Sequence, residues 1–417
     1  LAMKRFVYIL LFLTSWVSAW TIEPIKIAVV SDVHYLSSQL TKKGTALEQY
    51  ETATGRNTED LRAVLDAVIT DLLDQSPDIL LIPGDITNNG EKQSHLDFKE
   101  KLLPLTKNGT QVFVVPGNHD INVPTAKKYM GDKTEPAENV SAEEFAAIYA
   151  DFGYGKAVKR DTASLSYLAS INDSLWLLCF DTNRYSEYRT SPLSSGRILP
   201  QTLQWALKIL HEAKEKNINV IGMMHHGAVE HMPYQSAFFP EYLIDDWRKN
   251  AEILADNGLK IVFTGHFHAN DITSYTSAAG NTITDIETGS LAQYPFPYRF
   301  ILIENDSLKI TTHVVNSIPS KPQLAEEYKE KLRKQTEKTA LSKIKSLNIP
   351  LPKEIRQVLV DVIVQMNLLH VCGDEQLTEE MVQTVKMFSK IMGQENIDPT
   401  SFQLDYPPAD NNVELAL

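Results

Sequence analysis

Apolar runs of strand length alternate with amphipathic stretches along the first two-thirds of the chain. Residues 25–30, broken only by Lys26, 79–82 and 112–115 are runs rich in aliphatic and β-branched residues that read as strands, 79–82 as a buried one. Residues 58–73 place apolar side chains at 61, 64, 65, 68, 69, 72 and 73, which is one face of a helix. A second helix is predicted near 94–103. Further strands are predicted at 175–180, 218–224 and 259–263, with helices at 201–216 and 245–257 between them. Pro200 suits the first turn of the former. The alternation predicts an α/β fold, a sheet covered by helices.

After Ala269 the texture changes. Short runs at 272–275, 282–287, 299–303 and 309–315 are split by Gly, Asn-Asp and Pro signals. They predict an antiparallel meander forming a second sheet packed on the first. Beyond Pro319 the helical period returns. Residues 323–347 are highly charged, 353–371 repeat apolar positions at 355, 358, 359, 362, 363 and 366, and 378–392 carry Met381, Val385, Phe388 and Met392 on one face. These predict a small helical appendage over 319–393. Residues 394–417 hold Pro407-Pro408 and few apolar positions, and are expected to form an irregular tail.

The first residues read as a leader. Lys4 and Arg5 precede an apolar stretch over 6–13, too short for the roughly 20 residues that span a bilayer. Val17-Ser18-Ala19 offers small residues before a cut at Trp20. The expectation is a signal peptide over 1–19 and a periplasmic or secreted protein; an uncleaved anchor or a buried terminal strand are the alternatives. No stable membrane insertion is expected elsewhere. A hydrophobic fraction of 43% in 417 residues is ample for a large core. The formal charge of -13 argues against a nucleic-acid polymer or an anionic bilayer as main partner. A small phosphate ester stays open, because a bound metal sets the local charge. Cys179, in a strand pattern, and Cys372, at a helix end, are the two cysteines. Two free thiols are expected rather than a disulfide scaffold.

Side chains that ligate metals recur where the apolar runs end. In order they are Asp32-Val33-His34, Gly84-Asp85, Gly117-Asn118-His119-Asp120, His225-His226 and Gly265-His266-Phe267-His268. Each piece alone is a common polar turn or cap. Together, hard oxygens mixed with imidazoles can hold two divalent metals side by side, a pair that makes hydroxide at neutral pH and clamps a phosphate. Ligands of open α/β sheets collect beyond the carboxyl ends of strands, so five such loops can converge on one edge. Gly84, Gly117 and Gly265 are expected to turn the backbone sharply before each ligand.

In these blocks the chain resembles the calcineurin-like metallophosphoesterase superfamily over about residues 25–315. It is most similar to the cyclic-nucleotide phosphodiesterase-like branch, through Gly84-Asp85-Ile86-Thr87-Asn88-Asn89-Gly90. The resemblance implies a two-sheet sandwich flanked by helices, with a catalytic domain over 20–318. It implies one metal held by Asp32, His34, Asp85 and His268, and a second held by Asp85, Asn118, His225 and His266. Four imidazoles favour divalent or trivalent transition metals (Mn, Fe or Zn) over magnesium or calcium. By the same resemblance His119 assists the leaving group and Asp120 holds its ring, while Asn118 also meets substrate. His226 is read either as a substrate contact or as packing. Gly227 stands where many relatives have proline, so that loop is expected to be more mobile. Asn88 stands where the tyrosinate of a purple acid phosphatase would be. Tyr185, Tyr188, His231, Tyr234, Tyr294 and Tyr298 lie in loops that either overhang the site or pack, and residues 35–56 form either a lid or a mobile segment. The implied function is exported hydrolysis of a small phosphate ester, a phosphodiester first, by metal-bound hydroxide. A phosphomonoesterase or nucleotidase is the alternative within enzymes, a lipid head-group phosphodiesterase a third, and an inert metal-binding scaffold the alternative outside them. Oligomeric state is not readable from the sequence.

Overall fold

Strands that end in the candidate ligands sit at the centres of two sheets. The computed structural model describes residues 24–346, 352–391 and 404–417; the proposed leader at 1–19 lies outside the described residues. One sheet runs in the order β16 (Asn412–Ala416), β15 (Ser307–Val314), β14 (Pro297–Glu304), β1 (Ile25–Val29), β3 (Ile79–Pro83), β4 (Gln111–Val115). The other runs β12 (Asp271–Thr276), β13 (Thr282–Glu287), β11 (Ile261–Thr264), β10 (Asn219–Met223), β9 (Leu175–Cys179), β8 (Tyr167–Ser170), β7 (Lys159–Arg160). A small third sheet joins β2 (Thr41–Lys42), β5 (Lys127–Met130) and β6 (Lys133–Pro136). The strands β1, β3 and β4 are mutually parallel, as are β9, β10, β11 and β13. Parallel neighbours end on the same side, so each sheet gathers its loops at one edge.

The sandwich follows from side-chain alternation. In the second sheet Leu175, Leu177, Cys179, Ile221, Met223, Ile261 and Phe263 share one hydrophobic cluster with the first sheet, including Ala28, Leu80, Val112 and Val114 on one of its faces. Their neighbours Trp176, Leu178, Phe180, Val220 and Val262 point the other way. They pack on the helices Pro200–Glu215 and Trp247–Asp256 through Ile209, Leu210 and Leu254. The helix Thr58–Gln75, which lies between β1 and β3 in the chain, packs on the core with Val64, Leu65, Val68, Ile69 and Leu72, which is the face its sequence period marks. This is the expected two-sheet sandwich flanked by helices.

Three expectations change. The runs after Ala269 are not one meander. β12 and β13 pair antiparallel at the edge of the second sheet, whereas β14 and β15 pair antiparallel and join the first through β1. The stretch between the hairpins crosses the site, so the segment read as one sheet closes both. The tail over 394–417 is not irregular throughout: β16 pairs antiparallel with β15. Its Val413 and Leu415 lean on the core while Asn412 and Glu414 face solvent, a two-residue period too short to stand out in a polar segment. Residues 35–56 are ordered by β2 and the helix Thr45–Thr54, and Tyr50 donates to Asn88 Oδ1 at 2.5 Å. Beyond β15 lie the helices Leu324–Ser346, Lys353–His370 and Glu379–Ile391, as the pattern predicts. Cys179 is buried and Cys372 half-buried; both are free thiols. No described helix is long and apolar enough to cross a membrane.

Candidate metal centre and active site

Seven donors meet where the two sheets' loops converge. Ligand atoms of Asp32, His34 and His268 lie within 4.8 Å of one another, and so do those of Asp85, His225 and His266. Asp85 stands between the groups. Its Oδ2 faces His34 Nε2 at 3.7 Å and its Oδ1 faces His225 Nε2 at 3.5 Å. Asn118 closes the second group, its Oδ1 3.1 Å from His225 Nε2. In the first group Asp32 Oδ1 lies 3.3 Å from His268 Nε2, and the Nε2 atoms of His34 and His268 are 3.3 Å apart.

The local backbone is built for this approach. Asp32, His34, Asp85, His266 and His268 all have positive φ, between 46° and 77°. Each such non-glycine residue costs of order 1 kcal/mol or more, and such residues cluster at functional sites. Gly84 (φ 93°) does turn the chain as expected. Gly117 and Gly265 do not have positive φ; they are needed for space. A Cβ at Gly117 would collide with Asp85 Oδ1, and one at Gly265 with Ser31 Oγ and Asp32 Oδ2.

Hydrogen bonds fix the donors. Asp32 Oδ2 accepts from Ser31 Oγ at 2.6 Å and from the His266 amide at 3.0 Å, and Ser290 Oγ donates to the Asp32 carbonyl at 2.8 Å. His225 Nδ1 donates to the Pro83 carbonyl at 2.8 Å, and His266 Nε2 to the Glu241 carbonyl at 3.2 Å. A carbonyl can only accept, so the opposite ring nitrogens carry lone pairs. The lone pair of His225 Nε2 therefore meets two further acceptors, Asn118 Oδ1 and Asp85 Oδ1. Asp32 Oδ1 and His34 Nδ1 are buried without a hydrogen-bond partner. Lone pairs facing lone pairs in a buried pocket are what a cation resolves, so the residues present fit a metal pair.

Electrostatics agree. Burial, and then the neighbouring Asp32 and Asp120, push the Asp85 carboxyl well above its usual range. Burial works the same way on Asp32, but His268, His225 and Ser31 together outweigh it and hold that carboxyl below its usual range. Burial keeps His34, His225 and His266 neutral by lowering them from the ordinary imidazole value, the form that ligates metal.

The sequence placed other residues less well. Asp120 does not hold the His119 ring. Its Oδ1 accepts from the Thr87 amide at 2.9 Å and the Thr87 hydroxyl at 3.0 Å, and its Oδ2 from the amides of Ile86 at 3.1 Å and Gly117 at 2.8 Å. It ties the loop after β3 to the loop after β4. The His119 ring instead pairs with Asn89 Oδ1 through Nδ1 at 3.1 Å, while its amide donates to Asp85 Oδ1 at 2.8 Å. Of the two readings of His226, the geometry matches packing: it is fully buried, bonded to Thr182 Oγ1 at 2.7 Å and the Ser194 carbonyl at 3.0 Å, with its ring 4.4 Å from that of His266. Tyr188 donates to the Asn118 carbonyl at 3.0 Å, and Tyr185 and Tyr298 bond Asp181 and Asp71. His231 is buried among acids away from the donors. Arg56 was not singled out by the sequence, yet its charge bears on His34, His119 and Asp85. No spacing marks it, because it follows a helix outside every motif.

A family model described as calcineurin-like phosphoesterase matches residues 25–270. The chain belongs to that family, and is a metal-dependent hydrolase of phosphate esters. Among solved structures it is similar to a dimetal phosphatase from Danio rerio, at 13% identity and TM-score 0.48, over 70% of this chain and 96% of that one. It is also similar to a putative 5'-nucleotidase from Staphylococcus aureus, at 13% identity and TM-score 0.41 over 82% and 58%. An NAD nucleotidase from Haemophilus influenzae follows at 13% identity and TM-score 0.40 over 89% and 60%. A comparison with curated proteins finds no match.

Proposed function

We propose that this protein is an exported dinuclear metallophosphoesterase that prefers phosphodiesters. The position of Asp85, one oxygen toward each donor group, carries the two-metal reading. Asp32, His34 and His268 with Asp85 would hold one ion, and Asn118, His225 and His266 with Asp85 the other. Mn, Fe or Zn suits four imidazoles. When bound, such a pair supplies a nucleophile at neutral pH and neutralises phosphate oxygens. The chain's own residues do the rest. His119, with Nδ1 anchored on Asn89, would face the leaving oxygen with Nε2; burial lowers the ring to about 3, so it would take up a proton only beside the substrate's negative charge and then pass it to that oxygen. Arg56 adds positive charge on the side of His34 and His119, where a phosphate oxygen can meet it.

The diester preference rests on the rim. The Tyr242 ring lies 5.0 Å from His266 and 4.4 Å from Phe267, and Phe239 lies 5.9 Å from Phe267. Phe239, Phe238 and Tyr234 are exposed on the same loop. An ester with a second organic group has an aromatic surface to lie on; a monoester makes no use of it. Rates on bis-p-nitrophenyl phosphate and p-nitrophenyl phosphate test this, with Asp85→Asn as the blank. Faster diester hydrolysis is expected. A monoester rate equal or higher favours the nucleotidase alternative, and hydrolysis that survives Asp85→Asn removes the whole reading. Export rests on the order of basic, apolar and small residues over 4–19. Amino-terminal sequencing of the mature protein checks it, with Trp20 the expected first residue.

A further inference from the structure

Behind the loop Gly265–His268 lies a second set of acids that catalysis does not use. Asp271 opens β12, Glu375 follows the helix Lys353–His370, and Asp405 and Asp410 belong to the segment leading into β16. One oxygen from each of these four lies within 4.8 Å of the others. Asp271 and Asp410 are fully buried and Glu375 is 9% exposed. Asp271 Oδ1 meets His231 Nδ1 at 2.7 Å and accepts from Thr273 Oγ1 at 2.9 Å, but its Oδ2 has no hydrogen-bond partner. Glu375 Oε1 accepts from His370 Nδ1 at 2.5 Å, and its Oε2 has none. Asp405 Oδ1 is likewise unpartnered. Asp410 is set in place by the amides of Ile272, at 2.8 Å, and Asp374.

The positive groups nearby do not balance this charge. His231 is shared with Asp285 and Glu287, at 3.2 and 3.7 Å. Arg299 is fully buried but gives its guanidinium to the carbonyls of Glu287 and Asp410 and to Thr312. Among the described residues only two imidazoles reach the four acids directly, His231 through Asp271 Oδ1 and His370 through Glu375 and, at 3.7 Å, Asp271 Oδ2. Burial pushes the Asp405 carboxyl up to about 7 and the Asp410 carboxyl up to about 8. Crowded carboxylates with free oxygens are costly inside a protein unless a cation or protons relieve them.

We propose that Asp271, Glu375, Asp405 and Asp410 form a binding site for one calcium-class divalent cation, separate from the catalytic pair. Calcium takes oxygens at about 2.3–2.6 Å, so the oxygens on one ion lie no more than about 5 Å apart, and these four all lie within 4.8 Å of one another. Magnesium wants a tighter octahedron. His370 Nδ1 is committed to Glu375, which leaves an all-oxygen set and disfavours the metals of the catalytic centre. The ion ties three distant stretches of chain together: the end of the appendage, the C-terminal segment and β12. It also braces the catalytic loop, because Asp271 follows His268 by three residues and the Phe267 ring lies 5.0 Å from that of His370.

The test uses the full chain saturated with Mn, without and with millimolar calcium chloride. Isothermal titration is expected to show one calcium bound per chain, and thermal unfolding a rise of at least about 3 °C. Asp405→Asn and Glu375→Gln each remove both signals while Mn content stays as in the unsubstituted protein. A chain that shows neither calcium heat nor a shift overturns the proposal, whatever the variants do. So does a shift of equal size in both variants. If shared protons relieve the acids instead, both variants gain stability without calcium and the unsubstituted chain ignores it, which also overturns it.

Discussion

At the scale of single residues, the chemistry turns on what each side chain has left to offer after its own hydrogen bonds. His119 and Asp120 are neighbours in sequence, and an imidazole beside an acid invites pairing them. In the turn after β4 they point apart: Asp120 is used up by three amides and a hydroxyl, while His119 finds Asn89, thirty residues earlier. Asn89→Ala is therefore expected to lower kcat about tenfold or more with two metals still bound, read by steady-state kinetics beside metal analysis. Asp120→Asn is expected to act mainly on stability, by about 2–4 kcal/mol in urea unfolding, because an amide nitrogen would face backbone donors. Arg56→Ala is expected to raise KM about tenfold while metal content holds. The seven residues that converge here were legible because ligand chemistry restricts residue type. Asn89 was not, because an amide that orients a ring looks like any turn asparagine.

At the scale of elements, the strand ends were readable and the contacts between them were not. Parallel strands with short apolar runs predict where the loops gather; they say nothing of how near two loops come. Gly117 shows the difference. Its sequence reads as a turn, but its job is to leave room for Asp85 Oδ1. Gly117→Ala is expected to cost several kcal/mol and the second metal, followed by unfolding and metal content. Gly109→Ala is the contrast. It has φ 100° and open space around its missing Cβ, so only left-handed strain applies, about 1 kcal/mol. The strand β16 was missed for another reason: two half-buried side chains in a polar tail carry too little pattern to read. The appendage helices were legible because their apolar period runs for several turns.

At the scale of the whole molecule, the two sheets close over buried ionisable groups whose opposing demands set the pH response. His95 is the clearest of them and is no metal ligand. It is fully buried, its Nε2 donates to the Asp120 carbonyl at 2.9 Å, and its Nδ1 accepts from the Tyr149 hydroxyl at 2.9 Å. Burial lowers it from 6.5 to about 4. Between those values the unfolded chain binds a proton that the folded chain refuses, so stability falls as pH drops through that window. Glu91 and Glu287 work the other way: burial raises them to about 7 and about 8, so their protons favour the folded state as pH falls. The total slope therefore mixes opposite terms, and only a difference isolates one. His95→Gln keeps a donor for Asp120 and cannot take the proton. Relative to the unsubstituted protein, its stability is expected to improve by roughly 2 kcal/mol between pH 8 and pH 5, whatever it loses at pH 8. Urea unfolding of both proteins at the two pH values measures this. An unchanged difference would place the titrating imidazole outside the core that joins the two catalytic loops.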